Sequence, residues 1–231
     1  VGAGFDVIGI DINPQPNYPY PFIQADVMTQ NLLIFAMFDF IWASPPCMRY
    51  SAMTKRWGDK QVESHPDLVG PVREMLKRSG KPYCIENVVG APLVNPVMLC
   101  GSMFRLQTKH GSQLRRHRLF ECSFFVRQPE CRHNKGSVIG VYGGEQHPGR
   151  RYHKDENGNL ITPHKQFPAT IGVYGNSGGS SNRDGLQMFG TQDRRDAMGI
   201  QWMSGKELSQ AIPPAYSNYI AKEFLRYKGT L

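Results

Sequence analysis

The sequence predicts an α/β chain built on a doubly wound, mainly parallel sheet. Three observations carry this. Short apolar strands alternate with segments of helical period. Three of those strands run into a polar group, at Asp11, Cys47 and Glu86. The strand around Phe38, Phe40, Ile41, Trp42 and Ala43 is halted by Ser44-Pro45-Pro46, with Cys47 just past the stop. Proline lacks an N–H and restricts the residue before it, so a double proline ends a strand abruptly. Open α/β sheets gather their chemistry at the carboxyl ends of the strands.

The 231 residues carry 27 Lys and Arg against 19 Asp and Glu, a net charge of +8. That balance suits a polyanionic partner such as nucleic acid. A hydrophobic fraction of 40% argues against disorder. The length allows one sizeable core with a smaller second lobe. No apolar run is long enough to span a membrane, and no signal peptide is visible. Five widely spaced cysteines, an odd number, point to a reducing compartment and not to a disulfide framework. The expectation is a cytoplasmic monomer.

Taken in order, Val7, Ile8 and Ile10 predict a first short buried strand closed by Asp11. An acid there can accept from ribose hydroxyls or serve as a turn acid. Asn13 to Pro21 is a proline- and tyrosine-rich loop. Phe22-Ile23-Gln24-Ala25-Asp26 is a second apolar piece, its acid placed for an exocyclic amine or for a surface turn. Residues 29–35 predict a helix. Residues 48–66, with Arg49, Lys55, Arg56, Trp57 and Lys60, have no clean period and predict a loop. Such a loop either follows a nucleic-acid backbone or is a solvated flap. Leu68, Val69, Val72, Met75 and Leu76 recur at helical spacing until Gly80. Pro82 to Ile85 predicts a strand, with Glu86-Asn87-Val88 at its end.

Gly111 to Phe120 contains Arg115, Arg116, His117 and Arg118. Residues 121–190 change character, with scattered histidines and a Gly/Ser run over 175–181. Cys122, Cys131, His133 and His147 lack the C-x-x-C form of a strong metal site, so no metal is expected. Cys84 and Cys100 read as structural. After Asp193 the chain is helical again, and Pro213-Pro214 opens a last helix faced by Tyr216, Tyr219, Ile220 and Phe224.

The ordered set Pro45-Pro46-Cys47 with Ser51, Glu86-Asn87-Val88, Arg116-His117-Arg118 and Gln210-Ala211-Ile212-Pro213-Pro214 resembles the DNA cytosine-5 methyltransferases, small phage or prophage members above all. The resemblance covers most of the chain except roughly 121–190. It implies a Rossmann-like, S-adenosylmethionine-dependent methyltransferase fold. Residues 1–120 would be the catalytic and cofactor-binding core, 121–190 a target-recognition region, and 191–231 a segment returning to the core. It further implies catalytic roles for Cys47, Glu86, Arg116 and Arg118. Phe5, Asp11, Ile12, Asp26, Pro45, Gln210 and Ile212 would bind S-adenosylmethionine. Double-stranded DNA would be the substrate, as in DNA methylation by restriction–modification enzymes.

Two departures stand out. The family opens with a strand and a loop like F-x-G-x-G-G, whereas Gly2-Ala3-Gly4-Phe5 matches the end of the helix that follows. Weak cofactor binding is expected on that account, repaired by about 15 to 20 upstream residues, the span of one strand, its loop and most of a helix. Gln210 stands where the family usually has asparagine. The residues also leave other readings open: a DNA-binding remnant without catalysis, a basic structural protein, or a pyrimidine methylase acting on free nucleotides.

Overall fold

The computed structural model describes residues 2–55, 58–109, 111–132, 138–141, 153–154, 160–161, 170–173 and 191–230. The architecture is mixed α/β. The chain forms two compact units. The first comprises Val1–Leu99, His117–Pro129 and Asn218–Leu231; the second comprises Cys100–Arg116 and Glu130–Ser217. Residues 100–116 thus fall with the second unit.

In the first unit, β1 (Gly9–Asp11) and β2 (Phe22–Gln24) pair in parallel, Asp11 opposite Gln24. A Cβ at Gly9 would lie 2.7 Å from the Tyr18 ring, which would have to shift. A second sheet has the order β3 (Ile41–Ala43), β4 (Tyr83–Asn87), β6 (Arg118–Cys122), β5 (Val97–Leu99). The β3–β4 pair is parallel, and β6 runs antiparallel to both β4 and β5. The sheet is therefore mixed, not mainly parallel. Side chains alternate across it. Ile41, Ala43, Tyr83 and Ile85 pack with Val72 and Leu76 of α3 (Val69–Ser79). Trp42 and Phe120 meet edge to face. Phe224 of α6 (Pro214–Tyr227) stacks on Phe40 at 4.9 Å and contacts Phe124 and Phe5.

Helix α3 ends as its spacing predicts, at Gly80 in the left-handed region with φ 66°. Two other expectations are corrected. Residues 29–35 do not form one helix. They contribute to two 3₁₀ turns, Val27–Thr29 and Leu32–Met37. Asp26 and Asn31 each accept from the backbone N–H two residues on, and Gln30 between the turns is extended. Such local side-chain bonds compete with continuous helix. Residues 48–66 are not a plain loop either. A 3₁₀ turn (Met48–Tyr50) leads into α1 (Ala52–Lys55), and α2 (Asp59–Glu63) follows. Ser51 caps α1, its Oγ accepting from the Thr54 N–H at 3.1 Å.

In the second unit, β7 (Val138–Val141) pairs in parallel with β10 (Thr170–Val173), and β8 (His153–Lys154) pairs antiparallel with β9 (Leu160–Ile161). Leu114, Leu208 and Ala197, Met198 and Ile200 form a buried cluster around α4 (Thr191–Met198) and α5 (Gly205–Gln210). A capping box starts α5: Ser204 N–H donates to Glu207, and Glu207 N–H to Ser204. The Gly/Ser run, His133, His147 and His164 lie outside the described residues. Among the described residues, no helix is long and apolar enough to cross a membrane.

Candidate active site

The first unit brings together three of the features picked out along the sequence. Strand β3 delivers the chain to Pro45, which is buried, and then to Cys47, which is half-buried. Cys47 has φ −93° and ψ −8°, and its carbonyl accepts from the Tyr50 N–H at 3.0 Å. The thiol therefore sits on a tight turn directly after the strand.

The turn is tied to β4 by Asn87. Its Nδ2 donates to the Pro45 carbonyl at 2.9 Å, and Asn87 is 1% exposed. An amide buried so deeply must be hydrogen-bonded, and here its donor registers the Cys47 turn against the neighbouring strand. In the sequence Asn87 stands only as the middle of Glu86-Asn87-Val88, with no role of its own. Its signal was a second polar residue, directly after Glu86, at the end of a buried strand.

Glu86 is the residue before it. The sequence placed it at the end of the strand; it lies within β4, and the whole strand is buried. Its Oε1 is 3.2 Å from Arg118 Nε on β6. Both residues are less than a tenth exposed. Arg118 NH1 also donates to the His117 carbonyl at 2.9 Å. A carboxylate and a guanidinium in low dielectric are tolerable only as such a bonded pair. Cys47, Glu86 and Arg118 all belong to the first unit, and β3, β4 and β6 are successive neighbours in its sheet.

The expected cofactor residues of this unit stand at the other parallel pair. Asp11, half-buried at the end of β1, accepts from the Asn13 N–H at 2.8 Å and from Gln15 Nε2 at 3.2 Å. Asp26, two residues past β2, accepts from the Met28 N–H at 2.9 Å. The two acids belong to neighbouring segments, since the Ala25 N–H donates to the Asp11 carbonyl at 3.0 Å. Ile12 is exposed, and the Phe5 ring lies 6.0 Å from that of Phe224.

Arg116, Gln210 and Ile212 lie in the second unit. Arg116 is fully buried, and its NH2 donates to the carbonyls of Ser209 at 2.8 Å and Ala211 at 2.7 Å. Tyr216 donates its hydroxyl proton to the Arg116 carbonyl at 2.7 Å. Arg116 thus holds the backbone on either side of Gln210, which is exposed at the end of α5; Ile212 is half-buried.

The segment after Cys47 is folded onto itself. Arg49 donates to the carbonyls of His65 at 2.9 Å and Val62 at 3.4 Å, and pairs with Asp67 at 3.6 Å. Tyr50 is buried and donates its hydroxyl to Asp67. Arg49, expected as a candidate for a nucleic-acid backbone, serves here to close this segment. The sequence matches no protein-family model and no curated protein.

Proposed function

We propose that this chain transfers a methyl group from S-adenosylmethionine to C5 of a cytosine flipped out of double-stranded DNA. The observation that carries this reading is the buried junction of three distant sequence features. Asn87 binds the Pro45 carbonyl beside Cys47, and Glu86, next to Asn87, pairs with Arg118. The reading entails a Rossmann-like methyltransferase fold. The parallel pairs β1–β2 and β3–β4, with Asp11 at and Asp26 and Cys47 beyond their carboxyl ends, support it.

Cytosine C5 is a poor nucleophile until a group adds at C6. The Cys47 thiolate forms a bond to C6 and pushes the ring electrons toward C5. Glu86 must first take up a proton, since a carboxylate only accepts; its O–H then donates to N3, which drains charge from the ring as the adduct forms. A carboxyl group has two oxygens, so Glu86 can engage N3 while Arg118 stays beside it and meets O2. Arg116 acts at one remove by holding the backbone around Gln210. Asp11 and Asp26 fit the nucleoside end of S-adenosylmethionine: two carboxylates follow adjacent parallel strands and match ribose hydroxyls and an adenine amine. That cofactor supplies the activated methyl group. After C5 is methylated, its proton is lost to a base, the C6–sulfur bond breaks, and the thiolate leaves. A recessed thiol cannot reach a stacked base, so the cytosine must be extruded. The charge of +8 favours polymeric DNA over free nucleotides.

The test uses duplex DNA carrying 5-fluorocytosine, which cannot lose a proton from C5. With S-adenosylmethionine present, a covalent complex resistant to denaturant is expected. Cys47→Ala abolishes it. Glu86→Gln retains DNA binding and slows methyl transfer at least about 10²-fold. An adduct that persists in Cys47→Ala overturns the assignment of the nucleophile. DNA binding with no adduct and no methyl transfer would favour the non-catalytic remnant.

A further inference from the structure

We propose that Cys100 and Cys131 are two thiolate ligands of a zinc-type metal site within the second unit. Sequence spacing grouped Cys131 with Cys122, but the fold gives each a different partner. Cys122 stands opposite Cys84 on the β4–β6 ladder, their thiols within hydrogen-bonding reach. Cys131 meets Cys100, and the two sulfurs lie within 4.8 Å of each other. A tetrahedral ion with Zn–S bonds of about 2.3 Å holds its sulfurs roughly 3.8 Å apart, so a small adjustment closes the pair on one metal.

Both sulfurs are anchored. Cys100 is fully buried and precedes the 3₁₀ turn Gly101–Phe104. Its N–H donates to Met103 Sδ at 3.3 Å, and its sulfur accepts from the Met103 N–H. A Cβ at Gly101 would lie 2.4 Å from the Leu114 carbonyl oxygen, so only glycine lets the chain pass there. Cys131 is half-buried, with Ser102 Oγ 3.7 Å from its sulfur. On binding the cation, each thiol releases its proton to solvent and binds as thiolate.

Position in the chain gives the pair a purpose. The second unit is made of two segments, and Cys100 and Cys131 stand at or beside the start of each. A metal there would staple the two segments together. Two sulfurs leave two positions for nitrogen or water.

The experiment is a Co²⁺ titration of the full chain, reduced and metal-free, followed by Zn²⁺. It is independent of methyl transfer. One equivalent of Co²⁺ should bind with a thiolate charge-transfer band and the visible bands of a tetrahedral ion, and Zn²⁺ should erase both. Cys131→Ser should halve the charge-transfer intensity and weaken Co²⁺ binding at least about tenfold. Cys131 is the primary variant because Cys100 lies in the core. Cys122→Ser should leave the spectrum intact. The proposal is overturned by absence of the thiolate band, by an unchanged spectrum in Cys131→Ser, or by its loss in Cys122→Ser instead. A Cys100–Cys131 disulfide in the protein as isolated, read as a mass loss of two hydrogens, overturns it as well.

Discussion

Tyr50 illustrates what one buried side chain contributes to the proposed site. It stands three residues after Cys47 and donates to Asp67, which also pairs with Arg49. Burial, with the Asp67 bond second, pushes its phenol up to about 12. An unfolded tyrosine titrates near about 10. Below that value both states keep the proton, and the contribution to stability is complete. Between about 10 and 12 the unfolded chain loses a proton that the folded chain retains, so stability falls as pH rises. Tyr50→Phe should therefore be less stable than the parent at pH 8, and the gap should narrow as pH climbs past about 10. Urea midpoints measured across that range check this. A gap that widens with pH would show that Tyr50 ionises easily in the folded protein. Glu86 makes a different point at the same scale. It is buried and paired with the Arg118 guanidinium, so in the proposed reaction the group that activates the base is held by the group that orients it.

At the scale of elements, Arg73 does for α3 what Asn87 does for the Cys47 turn. Its guanidinium donates twice to Glu121 on β6, both bonds at 2.7 Å, and once to the Pro92 carbonyl. The Val94 N–H donates to the same carboxylate at 2.8 Å. One ion pair thus joins a helix, a strand and the loop between β4 and β5. Removing one partner leaves a charge buried without compensation. Glu121→Ala is expected to lower the unfolding free energy by about 3 to 5 kcal/mol, read from denaturant midpoints. Replacing Arg73 and Glu121 together by leucine should recover most of that loss, because neither charge then needs solvation. A loss below about 1 kcal/mol in Glu121→Ala would mean that water reaches Arg73 freely.

For the whole molecule, the relevant quantity is charge. A chain at +8 that binds duplex DNA through phosphates releases counterions. The logarithm of its affinity should fall linearly with the logarithm of salt, by about 0.9 per phosphate neutralised. A slope of several is expected from fluorescence anisotropy with a labelled duplex over about 50 to 200 mM salt. A slope near zero would remove charge as an argument for a polymeric substrate. Not every basic residue counts toward it. Arg73, Arg116 and Arg118 are committed to carboxylates or carbonyls inside the protein, so the charge that meets phosphate must come from others.

Local rules sufficed wherever a few neighbouring residues decide the outcome. The double proline that stops β3, the spacing and terminal glycine of α3, and the late proline opening α6 are all of this kind, and each is found. The candidate site was legible as residue types in order, because Pro45-Pro46-Cys47, Glu86-Asn87 and Arg118 are chemically unusual where they stand. Their assembly was not. That Arg118 would reach Glu86 and that Asn87 would seize the Pro45 carbonyl depend on strand order and register, and that Arg116 would turn to Ser209 and Ala211 depends on the packing of the second unit. Register in turn is set by how two faces of a sheet bury their side chains, a sum over distant contacts that no local window contains. The same holds for the cysteines: spacing grouped Cys122 with Cys131, and only the fold could give Cys122 to Cys84 and Cys131 to Cys100.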